Sequence, residues 1–288
     1  MIAIYKRELR SYFSSMIGYL FIAVVTAFIG IFFMVVNLFN GYPYFSYTLG
    51  NIAFISVLTV PLLTMKTMAE ERHLKTDQML LTYPVSVTSM VIGKYLAVMT
   101  VFAIPFLLSC LCPLIIMANG VSYPASDYAT IFACICLGCL YTALGLFISS
   151  LTESQIIAAV GTFGALLLLY IWPSLISFLP TNAAGNLFGL LLILTGVTAL
   201  LYAMTKNKLL AIVVEAVGIV GSAALYFTAK DQLSSLLSKI LGAFSCTDIL
   251  ENFASDKIFD LGGLFFFLSC AALFVFLTIQ SVQKRHWN

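Results

Sequence analysis

From Met16 to Phe39 the sequence carries no charged residue, and apolar runs of similar length recur all the way to the carboxyl end. A helix of about 20 apolar residues crosses the ~30 Å hydrocarbon core of a bilayer. It also satisfies every backbone N–H and C=O within itself, which lipid demands. Repetition of such runs therefore commits the chain to an all-α, polytopic bundle of transmembrane helices. The composition fits that reading. Of 288 residues 61% are hydrophobic and 9% charged, against about 25% charged in a soluble domain. A net charge of +2 gives no reason to expect nucleic acid as a partner.

Hydropathy places spans at about 16–39, 46–65, 90–118, 127–149, 154–179, 187–204, 209–226 and 261–282, eight in all. The first run is too long for a signal-peptide core and no small-residue cleavage site follows it, so it reads as a retained span. Pro105 and Pro113 are expected to kink the third span. Ahead of the spans, residues 1–15 put Ile2, Tyr5, Leu9, Tyr12 and Phe13 on one helical face, with Lys6, Arg7, Glu8 and Arg10 elsewhere. That is the pattern of a basic amphipathic helix lying on a membrane surface.

Orientation follows from the basic residues. With the amino terminus in the cytoplasm, eleven Lys and Arg lie inside and only Lys230, Lys239 and Lys257 outside. The excess puts both termini in the cytoplasm. An even number of spans requires the same.

The segment 66–88 is the densest polar interruption in the first two-thirds of the chain. Glu70, Glu71, Arg72, His73, Lys75 and Asp77 cannot sit in hydrocarbon, so the segment lies in water on the cytoplasmic side. Glu71 and Lys75 are spaced i, i+4 in the favourable order, which supports a short helix there. Pro84 should end it. Such an element between two spans is a handle for a soluble partner. The other polar stretch, 229–259, carries Leu233, Leu236, Leu237, Ile240, Leu241 and Phe244 at helical spacing and reads as an external amphipathic segment.

Several other features invite chemistry. Cys110-x-Cys112 and Cys134-x-Cys136-x-x-Cys139 have the look of metal ligands, but neighbours at i and i+2 face different sides of a helix and no His is near. They read as small residues packing between helices. Cys246 alone falls in a polar connection. His73 and Asp77 lack the spacing of an acyltransferase pair. Glu215, near the middle of its span, is either a functional carboxylate or one hydrogen-bonded to a neighbouring helix. No G-x-x-x-x-G-K-[ST] occurs, so the chain has no phosphate-binding loop of its own. No catalytic set, cofactor or metal site is expected.

Three segments resemble one family. Across 69–85, Ala69, Glu70, Glu71, Thr76, Leu80, Leu81, Thr82, Pro84 and Val85 match a loop read roughly as A-E-E-K-x-x-G-T-x-E-L-L-L-T-x-P-V, with Lys75 in place of Gly and Gln78 in place of Glu. The stretch R-E-L-R-S-Y-F-S-S-M-I-G-Y-L from Arg7 matches too, with Met16 where Pro is usual, as does Gly145 to Ala158. The family is that of permease subunits of type-2 (exporter-like) ABC transporters, in particular the gliding-motility-type subfamily.

The resemblance implies a single permease domain over 1–288, with six core spans and an insertion at 187–226. It implies separate ABC ATPase subunits, a second permease forming a homodimer or heterodimer, and a site in the cell membrane of a bacterium, in contact with membrane lipid. Glu70, Glu71, Arg72, Thr76, Gln78, Thr82 and Pro84 would form the coupling element. The implied work is export of an amphipathic or bulky substrate, the alternative being mechanical or signalling work without transport. The chain would not itself be an enzyme.

Overall fold

The computed structural model describes residues 1–74, 86–178 and 241–286, together with 185–189, 191, 194–196, 198, 215 and 238–239. Its principal elements are α1 (Ile2–Ser14), α2 (Met16–Phe33) with a π-helical continuation (Met34–Phe39), α3 (Phe45–His73), α4 (Val87–Ser109), α5 (Leu111–Asn119), α6 (Pro124–Leu151), α7 (Gln155–Ser177), α8 (Cys246–Ala254) and α9 (Leu261–His286). Among the described residues six helical stretches are long and apolar enough to cross a membrane: α2 with its continuation, α3, α4 with α5, α6, α7 and α9. The pair expected within 187–226, and the leucine face between 233 and 241, fall largely outside the described residues.

Two compact units make up the chain: Met1–Tyr170 with Cys246–Asn288, and Ile171–Ser245. In the second, the Trp172 indole N–H donates to the Leu241 carbonyl at 2.9 Å.

Helices α3 and α6 are the buried pair of the first unit, whereas α2 leaves most of its surface exposed. Sequence explains the difference. Along α3 the buried positions include Ser56, Thr59 and Thr64, and each hydroxyl donates to the carbonyl four residues back, at 3.4, 2.9 and 3.1 Å. Their polarity is satisfied within the helix, so they can sit in an interhelical seam without an unpaired group. Small residues on α6 let the partners approach. A Cβ at Gly145 would strike Thr64, and one at Gly138 would strike the ring of Phe102 on α4.

The π-helical stretch is stitched to the start of α3 by one buried side chain. Asn37 donates through Nδ2 to the carbonyls of Tyr42 (2.8 Å) and Tyr44 (3.0 Å) and accepts from Thr48 Oγ1 (2.8 Å). The first turn of α3 is capped from another helix, since Asp127 Oδ1 on α6 accepts from the Ser46 N–H at 2.9 Å. Replacing this buried carboxylate with alanine orphans that donor. Asp127→Ala should cost about 1–2 kcal/mol in a thermal-unfolding assay in detergent, with Asp127→Asn closer to wild type.

Three expectations can be set against the described residues. The helix that carries the second span continues past 65, unbroken to His73, and residues 75–85, where the short element was expected to end, lie outside the described residues. Thr67, Met68 and Ala69 remain buried, and an i, i+4 pair between Lys66 and Glu70 (4.0 Å) lies alongside. Helix α4 runs through Pro105 without a break, and the helix is interrupted at Cys110, just ahead of Pro113, where the expected distortion of the third span falls. Cys246 is not in a polar connection but buried at the start of α8. There the apolar face of Cys246, Leu250, Phe253 and Ala254 turns inward.

Candidate functional site

Helix α1 is docked on the bundle rather than merely resting at an interface. Tyr12 is buried, and its hydroxyl donates to the Leu63 carbonyl of α3 at 3.0 Å. Burial is the main cause that drives this phenol far above the ordinary tyrosine value, so it stays a neutral donor. One and two turns earlier, Glu8 and Tyr5 share that face, and the Tyr5 hydroxyl lies 3.1 Å from Thr100 Oγ1 on α4. The inward face therefore includes Glu8, set aside above as an outward charge, while Ile2 is exposed.

Glu8 is drawn in by Lys94. This lysine is the eighth residue of α4, about 10 Å past the first residue of the helix, and only 1% exposed. Its Nζ reaches Glu71 Oε1 at 2.7 Å, the Thr67 carbonyl at 2.9 Å and Glu8 Oε1 at 3.4 Å. Arg7 closes the network from its solvent side, with Nη2 at 2.6 Å from Glu8 and 3.1 Å from Glu71. The bond to Glu8 is the chief reason that the guanidinium is held above its usual value. Two cations and two carboxylates thus join α1, the end of α3 and the first turns of α4. An ammonium this deeply buried is tolerable only when paired in this way.

Beside the network, α6 grips the same end of α3. Ser149 Oγ donates to the Met65 carbonyl (3.3 Å) and accepts from the N–H groups of Met68 (3.3 Å) and Ala69 (3.2 Å). Arg72 Nη1 donates to the Thr152 carbonyl at 3.4 Å. The segments around Arg7, around Glu71 and from Gly145 onward are far apart in sequence, yet they meet at this one end of the bundle.

Of the coupling residues expected from sequence, Glu70, Glu71 and Arg72 are seen here, the first more exposed than the second. Thr76, Gln78, Thr82 and Pro84 lie outside the described residues, as do Lys75 and Asp77. Glu215 is helical and half-buried, with the residues around it outside the described set. Cys134 and Cys136 are buried on α6, and Cys110, Cys112 and Cys139 are half-buried. Sequence reasoning missed Lys94, Glu8 and Arg7 as site residues. The available signal was Lys94 itself, a charge set inside an apolar run.

No curated protein matches the sequence. A family model described as ABC-2 family transporter protein does match, over residues 46–232. That range covers well over half of the chain, including Glu71, Lys94 and Ser149. The chain therefore belongs to the ABC-2 family of transporter proteins, as a multi-pass membrane subunit that works with ABC ATPase subunits.

Proposed function

We propose that the chain is the permease of an ATP-driven exporter of the gliding-motility-type subfamily in a bacterial cell membrane, moving an amphipathic or bulky substrate outward. It works as one of two permeases, identical or not, and draws its energy from separate ATPase subunits, having no ATPase activity of its own. The observation that supports this reading is the Arg7–Glu8–Glu71–Lys94 network. A push delivered to residues 66–88 or to α1 would pass through these pairs to α3 and α4 together. Coupling requires contacts that differ between two states, and a buried set of ion pairs joining three helices is suited to that.

Glu70 and Glu71 then have separate tasks. Glu71 braces the bundle, whereas Glu70, half out in solvent beside Lys66, faces the ATPase. Glu70→Lys should leave membrane levels unchanged and weaken co-purification of the ATPase, because like charges at a contact cost several kcal/mol. The loss should vary with salt, since screening acts over about 8–10 Å. Normal association in that variant would move the ATPase contact to Thr82–Val85 or to α1.

In reconstituted vesicles, candidate amphiphiles should raise ATP hydrolysis and accumulate on the far side. Hydrolysis with no stimulation and no movement by any of them would instead favour mechanical or signalling work. For orientation, a reporter tag at Asn288 should read cytoplasmic and one near Ser235 external, and the reverse would invert the scheme.

A further inference from the structure

At the end of the first unit away from the charge network, the start of α6, the helix α8 and the loop leading into α9 line an open cavity of about 550 Å³. Pro124, Ala125 and Ala129 form one apolar wall, and Phe253, Ile258 and Phe259 form another. Volume and lining fall within the range of small-ligand sites, which are mostly apolar with a few placed polar groups.

One polar group is placed here. Lys257 takes a left-handed backbone conformation, φ 57°, seldom adopted by a residue with a Cβ. That turn lays its ammonium 3.2 Å from the centre of the Tyr44 ring and 5.9 Å from that of Tyr123. The two rings are stacked 4.6 Å apart. A cation over aromatic faces is held in place, here at the cavity rim on an exposed residue.

The Asp127 carboxylate, on the residue after Ser126, is fully buried and bonded to the Ser46 N–H. It balances part of the lysine charge, which suits a singly charged ligand head better than a polyanion. Val121 and Leu261, within two residues of the lining in sequence, are exposed, at the ends of spans where acyl chains meet headgroups.

We propose that this cavity holds an anionic phospholipid from the adjoining leaflet. Its phosphate is taken by Lys257 at the rim, and one acyl chain lies along Phe253, Ile258 and Phe259. The site does not depend on the exporter reading and stands whatever the complex moves.

The test uses the full chain in phosphatidylcholine nanodiscs doped with a phosphatidylglycerol that carries a photoreactive acyl chain. Label should map to 122–129 and 253–259, and unlabelled phosphatidylglycerol should compete for it where inorganic phosphate does not. Lys257→Asn suits the left-handed backbone and should reduce labelling about fivefold, while Lys257→Arg retains it. Ala129→Trp fills the cavity and should abolish the label with the lysine still present. Should the tryptophan not be accommodated, Lys257→Asn decides alone. Undiminished labelling in Lys257→Asn overturns the proposal. So does equal labelling by a phosphatidylcholine probe, or competition by inorganic phosphate, which would mark a free-anion site.

Discussion

Lys94→Met is expected to cost about 3–5 kcal/mol, the usual penalty for removing one partner of a buried ion pair. Methionine keeps the length and the apolar stem, so packing along α4 is little changed. What is lost is the charge that holds Glu8 and Glu71 at 3.4 and 2.7 Å, together with the donor to the Thr67 carbonyl. Arg7 is half exposed and reaches both acids from outside, so it compensates only in part. Thermal unfolding in detergent should show the loss, and α1 should become more sensitive to limited proteolysis. The informative partner is Glu71→Gln. Combined with Lys94→Met it removes both charges, and the double variant should recover a substantial part of the lost stability, giving a coupling energy of about 1–3 kcal/mol. Strictly additive effects would mean that the two residues do not act as a pair. If the network also transmits the ATPase stroke, the recovered double variant should remain impaired in substrate-stimulated ATP hydrolysis, because its folding is restored but its charged link is not.

Much of this architecture is legible in the sequence, for a physical reason. Lipid forces backbone hydrogen bonds to close within each helix, so every span announces itself as an uninterrupted apolar run. The boundaries of α2, α6 and α9 were accordingly near those expected. Amphipathicity likewise marked α1, but its inward face was assigned by hydrophobicity alone. Glu8 was placed outside because nothing local to residues 1–15 indicates that a lysine 86 positions later will meet it. Lys94 suffered the same fate. Counted only among the eleven cytoplasmic charges, it is in truth buried two turns inside α4.

Two other residues show the same cause. Asp127 stood at the start of a span, where a carboxylate is unremarkable as a helix-end charge. Its task is to cap α3, 81 residues away. Cys246 was assigned by its polar neighbours to a connection, whereas the period of Cys246, Leu250 and Phe253 gives α8 a buried face. Local pattern reports periodicity and hydropathy, and cross-helix pairing is carried by neither. The resemblance did help where pattern could not. Its three segments, read separately along the chain, are those that meet at Arg7, Glu71 and Ser149.

The second large effect belongs to a residue with no side chain. Gly138 faces Phe102 so closely that even the single methyl group of Gly138→Ala would overlap the ring. Phe102 has little freedom to withdraw. It is 1% exposed, stacked on Phe106 at 5.0 Å, and 6.0 Å from Phe21 on α2. Alanine is the better helix former, by about 0.8–1 kcal/mol, so in open surroundings this change would stabilise α6. Against a locked ring the overlap dominates, and a forced shift of packed side chains costs about 1–3 kcal/mol, with more for a larger residue. Gly138→Ala should therefore lower the melting temperature, and Gly138→Leu should prevent accumulation of folded protein in the membrane. A smaller partner should reverse the first effect. Gly138→Ala combined with Phe102→Leu should be more stable than Gly138→Ala alone, although Phe102→Leu by itself is destabilising. At Gly164, where a Cβ meets nothing within 4 Å, the same alanine substitution should be neutral or mildly stabilising. If Gly138→Ala behaved like Gly164→Ala, the close approach of α4 and α6 would not be what holds this part of the bundle together.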